Sequence, residues 1–170
     1  ETASIRFTNT SGDVWERVCL RDFAPSNQAV INSYSGFSDD QDYPAASSIL
    51  AVRGEDGQAL DFDVQADPSV VFVTLSEPLQ PGQRTSVTVD YQAIVPLGGE
   101  RLNWFPTGGL DDYDQNAICL SQAYPMLAEY LDDGWNTAPY FTDGECFYSR
   151  CADYRMTLRL PETYTVISSG

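Results

Sequence analysis

The chain has 170 residues, 9 basic against 25 acidic, for a formal charge of −16; every basic residue is arginine, and neither lysine nor histidine occurs. So acidic a surface repels phosphate backbones and anionic lipid, which argues against nucleic-acid and membrane-surface partners, and no apolar run approaches the roughly 20 residues that span a bilayer. Without imidazole there can be no Ser-His-Asp or Cys-His centre and no histidine-ligated zinc.

A chain of this length buries roughly 70% of its extended surface, enough for a single domain over the whole span. In chain order, Ile5 and Phe7 alternate with Ser4, Arg6 and Thr8, and Asn9-Thr10-Ser11-Gly12-Asp13 supplies turn chemistry before Val14 to Phe23. That pattern predicts a hairpin. Asn9-Thr10-Ser11 is also a glycosylation sequon, although the turn accounts for all three residues. From Ala24 to Ala46 the periodicity disappears, predicting a long loop of the functional or partly mobile kind.

Ser48 to Arg53 and Ala59 to Gln65 flank Gly54-Glu55-Asp56-Gly57 and predict a second hairpin. Val70 to Leu75 is apolar on both parities, as a central strand is. Arg84 to Ala93 alternates through Val87, Val89 and Tyr91, with Pro78 and Pro81-Gly82 in the connection. Pro96 to Asn116 sets Trp104 and Phe105 among glycines, prolines and aspartates and predicts a wide connection without a strand. Ala117 to Leu120 and Tyr124 to Tyr130 predict strands, and Asp132-Asp133-Gly134 a turn. Finally Tyr154, Met156, Leu158 and Leu160 alternate with Arg155, Thr157 and Arg159, predicting a half-buried antiparallel strand stopped by Pro161. Short strands about ten residues apart, with no convincing helix, predict an all-β fold: an antiparallel β-sandwich with long loops.

Four cysteines, Cys19, Cys119, Cys146 and Cys151, allow three complete pairings and contain no Cys-x-x-Cys. Cys146 and Cys151 are near enough for a local disulfide if Phe147 to Arg150 bends, whereas in a straight strand they point to opposite faces. Cys19 and Cys119 fit strands as small apolar side chains. Asp112, Asp114 and Asn116 imitate the first ligands of an EF-hand loop, but Ala117 stands where the loop needs glycine and no glutamate closes it, so a solvated turn is the simpler reading. Trp104, Phe105 and Trp135 offer either a stacking patch for sugar or peptide or a rim over the core. Carboxylates are plentiful enough for a glycosidase pair, but their spacing singles none out.

The order Tyr124-Pro125, Gly134-Trp135, Tyr140, Gly144-Glu145-Cys146-Phe147-Tyr148-Ser149, Ala152-Asp153-Tyr154 and Leu160-Pro161 resembles peptidase family M1, the zinc aminopeptidases. More narrowly it resembles the N-terminal, non-catalytic β-domain of bacterial members, a saddle-like β-sandwich. The resemblance implies a piece of a larger chain, with a peptide substrate and zinc held by His-Glu-x-x-His and a later glutamate in a downstream catalytic domain. This stretch would itself hold no cofactor and be no enzyme. In that family a Thr-Gln-x-Glu or Thr-Gln-x-Gln segment before the aromatic-Pro pair holds the substrate's free amino group. Counting back from Tyr124-Pro125 puts its two polar positions on Asp114 and Asn116. Either these bind an amine differently, or the parent is a divergent member. The resemblance, the acidity and the cysteines together imply a secreted or surface-anchored bacterial protein and leave a cytoplasmic one open. The alternative class is an extracellular binding module for carbohydrate or peptide.

Overall fold

The computed structural model describes residues 1–26, 46–96, 102–106, 116–140 and 151–168. Among them there is no helix, and eleven strands run in the order β1 Thr2–Thr8, β2 Trp15–Arg21, β3 Ala46–Arg53, β4 Phe62–Val64, β5 Val70–Leu79, β6 Arg84–Ile94, β7 Leu102–Pro106, β8 Asn116–Leu120, β9 Met126–Leu127, β10 Tyr130–Leu131 and β11 Gly134–Trp135. One sheet has the order β1-β6-β3 and a second β4-β5-β2-β9, with two ribbons, β7–β8 and β10–β11. Every pairing is antiparallel. Phe7, Val52, Val87, Val89 and Tyr91 of the first sheet pack against Trp15, Val18, Leu20, Val71, Val73 and Leu79 of the second. The expected antiparallel β-sandwich is therefore the fold, its core filled by alternate residues of each strand.

The two central strands are those with the clearest sequence signal. β6 lies between β1 and β3 and sends Val87, Val89 and Tyr91 inward. β5, apolar on both parities at its start, lies between β4 and β2. Its outer face is covered near Val70, which packs with Cys19 and Ala128. The turn from β5 to β6 carries Pro81 and Gly82 between Gln80 and Gln83, and Gln83 N–H donates to Gln80 O at 3.0 Å. Gly82 sits at φ 80°, a left-handed backbone that glycine accepts without strain. Pro78 lies inside β5, where the register against β2 slips between Trp15 and Arg17. A residue without an N–H is at home in such an irregularity.

Pairing departs from the sequence reading in four places. β1 and β2 are not a hairpin: β1 pairs with β6, and β2 with β5 and β9, so the 9–13 turn carries the chain from one sheet to the other. The chain bends tightly after β3, with an isolated bridge between Arg53 and Ala59, but β4 then joins β5 in the opposite sheet. Trp104 and Phe105 lie in a strand, β7, which the Pro96 to Asn116 reading omitted; β8 supplies its ladder from Leu102↔Leu120 to Pro106↔Asn116. Residues 151–168 form no strand, and all are exposed. The alternation from Tyr154 to Leu160 is real, but a strand needs a neighbour to take its N–H and C=O groups, and among the described residues none is paired to it. Residues 27–45 of the expected long loop lie outside the described residues.

Candidate functional site

Among the described residues each sheet ends in two outer strands, β1 and β3 in the first and β4 and β9 in the second. β1 closes the first sheet and β9 the second, and the two are neighbours. The orientation of β1 follows from its hydrogen bonds: the Glu1 nitrogen donates to Tyr91 O at 2.7 Å, Tyr91 N–H donates to Glu1 O at 3.0 Å, and Asn9 N–H donates to Gln83 O at 2.9 Å. In an antiparallel ladder of constant register, bonding alternates residue by residue. Ala3, Ile5 and Phe7 therefore bond to β6, while Thr2, Ser4, Arg6 and Thr8 turn their N–H and C=O groups to the open edge.

Against this edge lies a groove of about 650 Å³. Its floor is aromatic and aliphatic, with Tyr91, Tyr124 and Met126 among the lining; the whole run 1–8 forms one wall and the run 151–158 the other. That unbroken runs of both parities line it means the groove follows strand edges and not a single sheet face. The outer wall is fixed at one point. Tyr154 sets its ring 5.5 Å from that of Tyr124 and its hydroxyl donates to Met126 Sδ at 3.7 Å. Beyond it Met156, Leu158 and Leu160 stay 42 to 53% exposed.

The groove's charges balance, Glu1 and Asp153 against Arg6 and Arg155. Burial pushes the Tyr91 phenol up to about 12, with Glu1, Asp22 and Tyr124 adding to the shift. The Tyr124 phenol is raised too, again chiefly by burial. Both rings stay neutral at physiological pH and act as hydrogen-bonding apolar surface, not as acids or bases. Strand-edge backbone groups beside apolar surface are the chemistry to which extended, partly apolar chains bind in general.

Of the residues singled out from sequence, Asn116 is exposed at the first position of β8, opposite Pro106. Asp114 and Cys146 lie outside the described residues. Cys151 is an exposed free thiol on the outer wall of the groove, and Cys119 is exposed and free in β8. Cys19 is fully buried in β2, and burial lifts its thiol to about 11, so it is inert packing as its setting in a strand implied. Of the aromatic residues singled out, Trp135 joins Trp15 and Tyr130, with ring centroids 4.6 and 4.9 Å away, and donates its indole N–H to Arg17 O at 3.2 Å. The sequon asparagine is likewise spoken for: Asn9 is fully buried, and Nδ2 donates to Asp13 O and Leu79 O at 2.7 and 2.9 Å.

The groove was missed from sequence because β1 looked like half of a hairpin and so had no free edge. Its only advance signal was the alternation from Tyr154 to Leu160. Among the described residues no group of three or more His, Cys, Asp and Glu side chains gathers around a possible metal position, and no helix is long and apolar enough to cross a membrane. Comparison with protein-family models, curated proteins and solved structures found no match.

Proposed function

We propose that this chain is the non-catalytic N-terminal β-domain of an M1-like zinc metallopeptidase, packing on a downstream catalytic domain and shaping one wall of its substrate site. The observation that carries the reading is the ordered series from Tyr124-Pro125 to Leu160-Pro161 in a histidine-free chain. An antiparallel β-sandwich is the architecture that reading requires. The domain's work is architectural: apolar surface goes against the catalytic domain, and a few polar side chains meet the amino end of a peptide. Zinc belongs to the catalytic domain, and the parent is a secreted or surface-anchored bacterial protein.

In this reading Asp114 and Asn116 hold the substrate's free amino group. A charge-assisted contact is worth about 1.5–3 kcal/mol, so Asp114→Ala and Asn116→Ala in the longer gene product should raise KM for free amino-terminal substrates about tenfold or more and spare blocked ones. The decisive experiment is expression of the gene's longer reading frame beside the 170-residue chain, followed by zinc analysis and assay on amino-acid anilides. Zinc and turnover in the longer product alone support the reading. A reading frame without His-Glu-x-x-His, or turnover by the 170-residue chain itself, overturns it.

A further inference from the structure

The groove between β1 and residues 151–158 is complete within one chain: with its own outer wall in place it still spans about 650 Å³. That lies inside the roughly 300–1,000 Å³ common to small-molecule sites, which are mostly apolar with a few convergent polar groups. The lining agrees. Tyr91, Tyr124 and Tyr154 bring rings, Met126 and Met156 bring thioethers, and Met156 stays 53% exposed on the wall. Tyr154 ties that wall to Tyr124 and Met126. Rings and thioethers together make a surface on which another ring packs by its edge or its face.

Tyr91 supplies the polar group. It is 8% exposed and sits in β6, the central strand of its sheet, so the surface it keeps is what it gives to the groove. Besides burial, its phenol feels Glu1, Asp22 and Tyr124, and the first and last of these line the groove, so the hydroxyl end points to the cavity. Yet among the described residues nothing hydrogen-bonds to that hydroxyl or to the hydroxyl of Tyr124. A neutral phenol nine-tenths buried without a partner is a donor that lacks its acceptor. The charges decide the kind of molecule that brings one. Glu1 and Asp153 balance Arg6 and Arg155 along the walls, so an ionic ligand finds no net counter-charge and would give up its hydration against the apolar floor.

We propose that the groove binds a small uncharged ring compound bearing a carbonyl oxygen, its ring packed among Tyr124, Tyr154 and Met126 and its oxygen accepting from the Tyr91 hydroxyl. The inference is independent of the peptidase reading, since such binding needs neither zinc nor a downstream domain.

Nile red, an uncharged ring ketone whose emission brightens and shifts to the blue in apolar surroundings, tests it by titration of the full 170-residue chain. Binding should saturate at one dye per chain, and the anionic dye anilinonaphthalene sulfonate should bind at least about tenfold more weakly. Tyr91→Phe keeps the ring and deletes a hydroxyl that no described residue uses, so the fold stands and affinity for Nile red should fall roughly three- to tenfold. Met156→Glu sets a carboxylate on the wall, in a stretch that takes part in no ladder among the described residues, and should weaken the dye about tenfold or more. Urea unfolding of both variants at the wild-type midpoint confirms that binding and not folding has changed. Nile red that fails to saturate, or that binds both variants as it binds the wild type, overturns the proposal. Equal affinity for the two dyes overturns the preference for an uncharged ligand and the proposal with it. A loss in Met156→Glu without one in Tyr91→Phe means that the phenol takes no part, and it overturns the assignment of a carbonyl ligand.

Discussion

Asp22 follows Arg21 into the interior at the end of β2, 3% exposed, with Ala24 N–H donating to its Oδ1 at 3.3 Å. Burial raises its carboxyl above the ordinary value of 3.8, and the Ser47 hydroxyl and the Ala24 N–H only moderate the shift. The sign follows directly. The folded state holds this proton more tightly than the unfolded chain does, so the contribution to stability is full below 3.8 and is lost as pH rises through the raised value. Asp22→Asn keeps the shape without the charge. Urea unfolding of both proteins from the carboxylate range up to neutrality should show the variant gaining on the wild type as pH rises, by about 1–3 kcal/mol at neutrality, the usual cost of an under-satisfied buried group. A constant difference across that range would mean that Asp22 does not feel its burial. Asn9 shows what was legible at this scale. Its turn was plain in Asn9-Thr10-Ser11, and its Oδ1 does accept from Ser11 N–H at 3.0 Å, a local Asx turn. Its bond to Leu79 O, 70 residues away, was not, because turn chemistry carries no record of distant partners.

At the scale of elements, alternation located β1 and β6, since period two is a local property of buried faces, and a run apolar on both parities located β5. Pairing was illegible. A hairpin and a crossing between sheets use the same turn residues, so β1 and β2 read as partners although each pairs in its own sheet. β7 was hidden because Trp104 and Phe105 sit among loop-forming neighbours, and only β8 makes them a strand. β3 combines both effects. Its register slips between Ile49 and Ala51, making Leu50 the extra residue, 60% exposed, while Ile49 packs on the core and Val52 is buried three positions later. The bulge resets the parity that a regular strand would keep. Val52→Ala should therefore cost about 2 kcal/mol, the scale of fully burying such a side chain, and Leu50→Thr should stay within about 0.5 kcal/mol. Equal costs in chemical unfolding would place Leu50 in the core and remove the bulge. The stretch from Tyr154 to Leu160 is the converse case, a strand pattern with no paired strand among the described residues.

Over the whole molecule, the two sheets share one core, and among the described residues the edge strands β1 and β9 meet residues 151–158 along a groove. That a sandwich would form was readable from composition and alternation. Where it would stay open was not, because an edge is defined by which strand lacks a neighbour, and that is settled only when every pairing is known. The most direct test of the open flank is amide hydrogen exchange along β1, read residue by residue in dilute protein. Ala3, Ile5 and Phe7 should exchange slowly and Ser4, Arg6 and Thr8 fast, a two-residue rhythm set by the ladder to β6. Slow exchange at both parities in dilute monomer would mean that the edge is already covered within the chain, and would contradict the account.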